Sequence, residues 1–87
     1  MDEQIQNDIN YLKNSTYRMK AFKSLAKSPK MPIGLAKDCD ILKNHISNTL
    51  NQLVSHDLIY CVNPEVRKGR LYKLSEYGYK VASALED

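Results

Sequence analysis

A short segment in the last third of the chain gathers cationic side chains around a glycine. Arg67, Lys68 and Arg70 surround Gly69, and the residues that follow alternate in polarity as a strand does. Guanidinium and ammonium groups on a glycine turn are rarely buried inside a packed core. Against a polyanion, the same groups neutralise phosphates and release counterions. The segment therefore indicates electrostatic binding to a phosphate-bearing partner.

Positive charge is clustered along the chain although its total is small. The formal net charge is +3, from 13 Lys and Arg residues against 10 Asp and Glu residues. Five cations and no anion lie between Arg18 and Lys30, and four cations and no anion lie between Arg67 and Lys73. Patches of one sign set the local potential, so two of them favour a basic surface. Two solvated faces would give the same pattern.

A second set of polar residues lies on one face of a helix predicted from Ile41 to His56. Apolar residues at helical spacing define its buried stripe, which contains Ile46, Leu50, Leu53 and Val54. The opposite face carries amides and hydroxyls at Asn44, Ser47, Asn48, Asn51 and Ser55. Exposed helix faces usually carry Glu, Lys and Arg, which are better helix formers. A polar but almost uncharged face therefore needs a reason other than solubility.

Composition predicts one globular domain of 87 residues, with ordinary hydrophobic (43%) and charged (26%) fractions. No apolar run approaches the roughly 18 residues of a membrane span. The acidic, polar start of the chain does not look like a signal peptide, so we expect a cytoplasmic protein. Cys39 and Cys61 form no CxxC pair and are expected to be small buried hydrophobes. The sequence has no catalytic-triad spacing, no phosphate-cradling glycine loop and no paired carboxylates. We therefore expect neither an enzyme nor a cofactor.

The elements that would position the basic and amide residues follow from periodicity and from turn signals. The expected elements are helices over 3–13, 15–28, 32–40 and 41–56, strands over 58–62 and 70–74, and a helix capped by Ser75. This order gives an amino-terminal helical extension (1–14), a core and hairpin (15–75) and a last helix (76–87). The fold class is therefore mainly α with a small β-hairpin, arranged as a winged helix-turn-helix.

Three segments resemble prokaryotic winged helix-turn-helix transcription regulators near the MarR-like and ArsR-like groups, of a kind frequent in archaea. They are Tyr17–Leu25, Leu35–Leu53 and the pair formed by Leu58–Tyr60 with Lys68–Gly78. The last segment, which reads KGRLYKLSEYG, is the most specific. Family members often carry Gly in the turn and Ser or Thr before the recognition helix, where this chain has Asp40 and Leu42.

The resemblance implies that the chain binds double-stranded DNA and regulates transcription, in the nucleoid. The amino-terminal half of the recognition helix would enter the major groove with Lys43, Asn44, His45, Ser47 and Asn48. Lys can donate to guanine, and Asn can pair with both edge groups of adenine. On the wing, phosphates or the adjacent minor groove would be contacted by Arg67, Lys68 and Arg70. Further phosphate contacts are expected from Lys37 and Arg18, although Arg18 can instead pack its stem on the core.

Apolar stripes in the first and last helices are candidate dimer surfaces. Proteins of this kind usually dimerise, and the dimer sets the half-site spacing. The stripe residues are Ile5, Ile9, Leu12, Tyr77, Val81 and Leu85. The same residues could equally close the core of a single chain.

Two other function classes stay open. Some ArsR-like proteins sense metals, and the available ligands here would be Cys39, Cys61, His45, His56 and Asp38. None of these stands at a close metal-ligand spacing, so no metal site is expected. Winged helices also serve as protein-interaction modules, because a fold does not fix a function. A steep salt dependence of binding would distinguish DNA from a protein partner.

Overall fold

The computed structural model describes residues 2–86, which form five helices and one two-stranded hairpin. The elements are α1 (Glu3–Lys13), α2 (Thr16–Lys27), α3 (Pro32–Cys39), α4 (Lys43–Ser55), β1 (Ile59–Cys61), β2 (Tyr72–Leu74) and α5 (Glu76–Glu86). The predicted element order and the mainly helical winged-helix class are confirmed. None of the described helices is long and apolar enough to cross a membrane.

Local capping chemistry explains where several helices begin. The Ser15 hydroxyl accepts from the backbone N–H of Arg18 at 3.3 Å, so it satisfies one of the free donors of α2. Pro32 opens α3, where its missing N–H costs nothing. The Ser75 hydroxyl accepts from Gly78 N at 2.9 Å at the start of α5. These three starts agree with the sequence prediction.

The turn before α4 differs from the prediction in one detail. Asp40 adopts a left-handed conformation (φ 55°), and the backbone N–H of Ile41 donates to the carbonyl of Ala36 at 2.9 Å. Ile41 is therefore buried in the turn and does not begin the helix. The helix begins at Lys43, after an extended Leu42 that gives no side-chain cap.

Helix α2 is the centre of the core, because it contacts each of the other four helices and strand β2. The largest fully buried side chains come from all of the helices and both strands: Phe22, Leu12, Leu25, Leu35, Leu53, Leu58, Ile59, Leu74 and Val81. Burial of these groups is the main favourable term in folding a chain of this size. Its effect here is to hold α4 against α2 with the polar face of α4 outward.

The hairpin is antiparallel and short. Ile59 pairs with Leu74, and Cys61 pairs with Tyr72. Lys30 adds a single-residue bridge on the other edge of β2, with backbone bonds of 3.0 and 2.9 Å to Tyr72. The predicted strand from Arg70 was too long, because Arg70 and Leu71 lie in the loop before the ladder begins. The bridge ties the hairpin to the chain between α2 and α3, and one residue leaves no periodic signal in the sequence.

Candidate nucleic-acid interface

The outward face of α4 carries all of the residues predicted for base recognition. Exposed side chains occupy the predicted positions Lys43, Asn44, His45, Ser47 and Asn48. The apolar side of the same helix is buried by Ile46, Leu50 and Leu53, which fixes the direction of the polar face. The inclusion of Val54 in the buried stripe was wrong, because its side chain is 40% exposed. His45 departs from the others, since its ring lies 5.0 Å from the ring of Tyr17 on α2. His45 therefore lies at the edge of the face that Asn44 and Asn48 share.

A groove of about 290 Å³ separates α4 from the wing, which we define as residues 62–71 between the strands. It is lined by Pro32, Ser47, Leu50, Asn51, Arg67, Gly69, Arg70 and Tyr72. The fold thus brings Ser47 to the same groove as Arg67 and Arg70, although about twenty residues separate them along the chain. Asn51 joins this groove and was not among the predicted contact residues. Its place on the amide face was the signal that could have included it.

Side-chain bonds to the backbone hold the wing in shape. The Asn63 amide donates to the carbonyl of Gly69 at 3.1 Å and accepts from the N–H of Leu71 at 2.7 Å. Arg70 Nε donates to the carbonyl of Val66 at 2.8 Å. Gly69 has a φ of 78°, a conformation that side chains rarely adopt. Asn63 directly follows the strand predicted over 58–62, and its side chain closes the loop.

The cationic side chains of the wing differ in the hydrogen bonds that they make to other described residues. Arg70 is exposed, but part of its donor capacity is used within the loop. Arg67 and Lys68 are exposed, and neither makes a hydrogen bond or ion pair with any residue in 2–86. Their charges are therefore available to a ligand. Both side chains are exposed to solvent, so no partner within the domain competes for them.

Arg18 has a structural role. Its Nε donates to Gln52 Oε1 at 3.0 Å, and one terminal nitrogen donates to the carbonyl of Tyr11 at 2.9 Å. The guanidinium also stacks on the Tyr11 ring, 3.8 Å from its centroid. Because these contacts join α1, α2 and α4, the structure favours the packing role of Arg18 over a phosphate contact. Lys37 is exposed on α3 and is not among the residues that line the groove.

A polar cluster beneath α1 joins the carboxyl end of α4 to α5. Asp8 is 5% exposed; it accepts from the Tyr77 hydroxyl, and its other oxygen lies 2.8 Å from His56 Nδ1. The His56 ring stacks on Tyr11 at 3.7 Å between centroids. Burial of Tyr77, followed by its bond to the Asp8 carboxylate, raises the pKa of that phenol above its ordinary value. The cluster holds the terminal helices on the end of α4.

Replacing Asp8 by alanine is expected to lower the free energy of unfolding by about 1–3 kcal/mol, because the Tyr77 hydroxyl and His56 lose their shared acceptor. Denaturant unfolding would measure the change. Asn7→Ala is the matched control, since Asn7 is an exposed neighbour on the same helix. Equal effects of the two substitutions would show that the cluster does not stabilise the fold.

The residues predicted for a dimer are divided between two environments. Ile9, Leu12 and Val81 are buried within the single chain, as one of the two interpretations of the sequence required. They are therefore not available to a second copy in this conformation. Ile5, Tyr77 and Leu85 are only partly buried and pack against the edge of the core. Any dimer surface from the predicted set is limited to these three residues.

The residues that the metal-sensor alternative would have used do not form a metal-binding group. Within residues 2–86, no three His, Cys, Asp or Glu side chains form a group that could hold a metal ion. Cys39 is buried and donates to the carbonyl of Lys20, and burial raises the pKa of its thiol. Cys61 is only half-buried, so the expectation of two buried thiols is right for Cys39 alone.

Comparison with known proteins gives a match at the level of structure. No family model matches the sequence, and no curated protein matches it. A MarR family transcriptional regulator from Silicibacter pomeroyi DSS-3 superposes with a TM-score of 0.72 at 15% identity, over 97% of this chain and 62% of that one. A second MarR family transcriptional regulator, from Silicibacter pomeroyi DSS, gives 0.73 at 20% identity, over 94% and 57%.

The chain therefore spans less than two thirds of the length of either regulator. Neither comparison bears on the archaeal type, which stays a prediction. At such low identity a structural likeness establishes the architecture and leaves function to be argued from the site. The chain has the winged-helix fold that is found in these MarR family regulators.

Proposed function

We propose that this protein binds double-stranded DNA and regulates transcription, with α4 in the major groove and the wing on phosphates or in the minor groove. One observation carries the proposal: Ser47 and Asn51 of the polar face of α4 line a single groove with Arg67 and Arg70 of the wing. Amides at the amino-terminal half of a recognition helix are suited to base edges, and they do not repel phosphates as carboxylates would. The likeness to two transcriptional regulators supports the same function.

The residues divide by role. Asn44 and Asn48, four positions apart on α4, would read adenine, and Lys43 would donate to guanine. Arg67 and Lys68 would contact phosphate and supply affinity that is independent of sequence. Arg70 would shape the wing as well as contact phosphate, because its guanidinium already bonds to the loop. Lys37 would add a weaker phosphate contact from α3.

A homodimer is part of the proposal, with Ile5, Tyr77 and Leu85 as the available contact residues. One module of this size contacts few base pairs, and a two-fold pair would double the site. The expected location is the cytoplasm, on the nucleoid. The alternative is a protein-interaction module, which would bind no duplex at any salt concentration.

Replacing Asn44 or Asn48 by alanine should reduce sequence preference more than general affinity. Each bidentate base contact contributes about 1–3 kcal/mol of discrimination. Duplexes selected from a random pool would be compared with random duplexes for each variant, at two salt concentrations. Asn7→Ala, on the exposed side of α1, serves as the control amide. An equal loss on selected and random duplexes would refute base recognition, and no binding of the unmodified protein to any duplex would refute the proposed function.

A further inference from the structure

Helix α2 carries a basic surface that the proposed DNA interface does not use. Lys20, Lys23 and Lys27 recur at i, i+3 and i+7, so they form one exposed row along two turns of the helix. No salt bridge within 4 Å pairs any of them with an acidic group in residues 2–86. These lysines make up most of the first cation cluster of the sequence.

An apolar groove of about 370 Å³ runs beside this row, between α2 and α5. The buried ring of Phe22 lies in its lining, with the small side chains of Ala26 and Ala82 and with Leu85. Lys23 and Lys27 complete the lining. The two alanines leave room where larger residues would have closed the surface, and the result is an apolar channel with ammonium groups along one edge.

The α2–α5 groove shares no lining residue with the groove between α4 and the wing. Helices α2 and α4 pack against each other through their buried stripes. The lysine row is on the exposed side of α2, and the amide face is on the exposed side of α4. A partner in the α2–α5 groove would therefore cover none of the residues that line the groove between α4 and the wing.

We propose that the α2–α5 groove binds an acidic amphipathic helix of a partner protein, with its apolar residues in the groove and its carboxylates on Lys20, Lys23 and Lys27. Helix-in-groove recognition uses apolar anchors at i, i+3, i+4 and i+7, and the groove supplies the apolar floor for them. Charge complementarity selects the partner. An apolar groove with ammonium groups along one edge is complementary to a helix that carries Leu on one face and Glu on the adjoining face. A nucleic acid backbone would use the lysines but would leave Phe22, Ala26 and Leu85 without an apolar partner.

Two carboxylates lie on the other side of the lysine row. A shallow hollow there contains Asp38 and Asp40 together with Lys20, Lys23 and Lys27. The Ser24 hydroxyl donates to Asp38, and this bond is the main reason that the pKa of Asp38 is lowered, with Lys30 and Lys27 contributing. Asp38 is thus already hydrogen-bonded within the domain. The three lysines remain exposed, so their ammonium groups can still pair with carboxylates of a ligand.

The test uses a labelled synthetic peptide with leucines at i, i+3, i+4 and i+7 and glutamates beside them. A peptide of the same composition with the leucine stripe scrambled is its control. The double variant K23E/K27E should weaken binding of the striped peptide about tenfold or more, which corresponds to about 1.4 kcal/mol. The control K13E/K80E makes the same charge change on exposed positions of α1 and α5 and should leave binding within about twofold.

Three results would overturn the proposal. The first is equal affinity for the striped and scrambled peptides. The second is a loss of duplex affinity in K23E/K27E with no peptide binding, which would assign the row to nucleic acid. The third is a change in sedimentation of K23E/K27E with no peptide binding, which would assign the groove to a second copy of the chain. Peptide binding can succeed or fail whether or not the protein binds DNA, so the peptide and DNA proposals are tested separately. Leu85 belongs both to this groove and to the proposed dimer contacts, and the third result decides between those two occupants.

Discussion

Replacing Arg67, Lys68 and Arg70 together by alanine is expected to weaken binding to every DNA duplex by about 10³-fold or more. Hydrogen bonds to charged groups contribute about 1.5 kcal/mol or more each, and three such contacts would be lost. Each lost phosphate contact should also reduce the slope of log affinity against log salt by about one. Duplex binding measured across a salt series gives both quantities, and the effect should be similar on selected and random sequences.

The structure separates the contributions within this triple variant. Arg67 and Lys68 have no bonds to other described residues, so R67A/K68A should change binding and leave unfolding nearly unaffected. Arg70 also bonds to the carbonyl of Val66, so R70A should disturb the loop as well. The variant K13A/K80A removes two charges from exposed positions on α1 and α5 and is the matched control for the double variant. An unchanged salt slope in R67A/K68A would refute the wing assignment.

Replacing Gly78 by alanine is expected to destabilise the fold by about 3 kcal/mol or more, as severe overpacking does. A Cβ there would lie 2.1 Å from the carbonyl oxygen and 3.1 Å from the carbonyl carbon of Leu58. This carbonyl cannot move freely, because it accepts from the backbone N–H of Ser75 at 3.1 Å and belongs to a fully buried residue. Denaturant unfolding would measure the loss.

Gly34 provides the opposite case on the same scaffold. Nothing lies within 4 Å of a Cβ added at Gly34, which is exposed on α3. Because alanine is the better helix former, Gly34→Ala should raise the free energy of unfolding by about 0.5–1 kcal/mol. If Gly78→Ala were as stable as the unmodified protein, then the close packing of α5 on the segment before β1 would not hold in solution.

The need for a glycine at position 78 could not be predicted from the sequence. The residue belongs to the segment that resembles winged-helix regulators, but its pattern alone gives no reason for a glycine in the first turn of a helix. The reason is the approach of α5 to the Leu58 carbonyl, which joins residues twenty positions apart. Such a contact has no local signature.

Arg18 shows the same limit for the candidate site. Its charge and its place in a cation cluster suggested a phosphate contact as well as a packing role. The structure gives its guanidinium to Gln52, to the Tyr11 carbonyl and to the Tyr11 ring. The sequence shows that a residue is charged. Which acceptors its N–H groups bond to depends on contacts between elements that are far apart in the chain.

The sequence by itself determined the order of elements and the polar and apolar faces of each helix. Helical spacing, Ser15 and Ser75 as caps, Pro32 as a helix start and Gly69 in the loop are local signals, because backbone preferences and burial act within a few residues. Tertiary structure alone decided which surfaces share a groove. It set Ser47 and Asn51 beside Arg67 and Arg70, buried Asp8 between His56 and Tyr77, and left Lys23 and Lys27 beside the apolar α2–α5 groove. These arrangements depend on packing between segments far apart in the chain, and such packing is a property of the whole core.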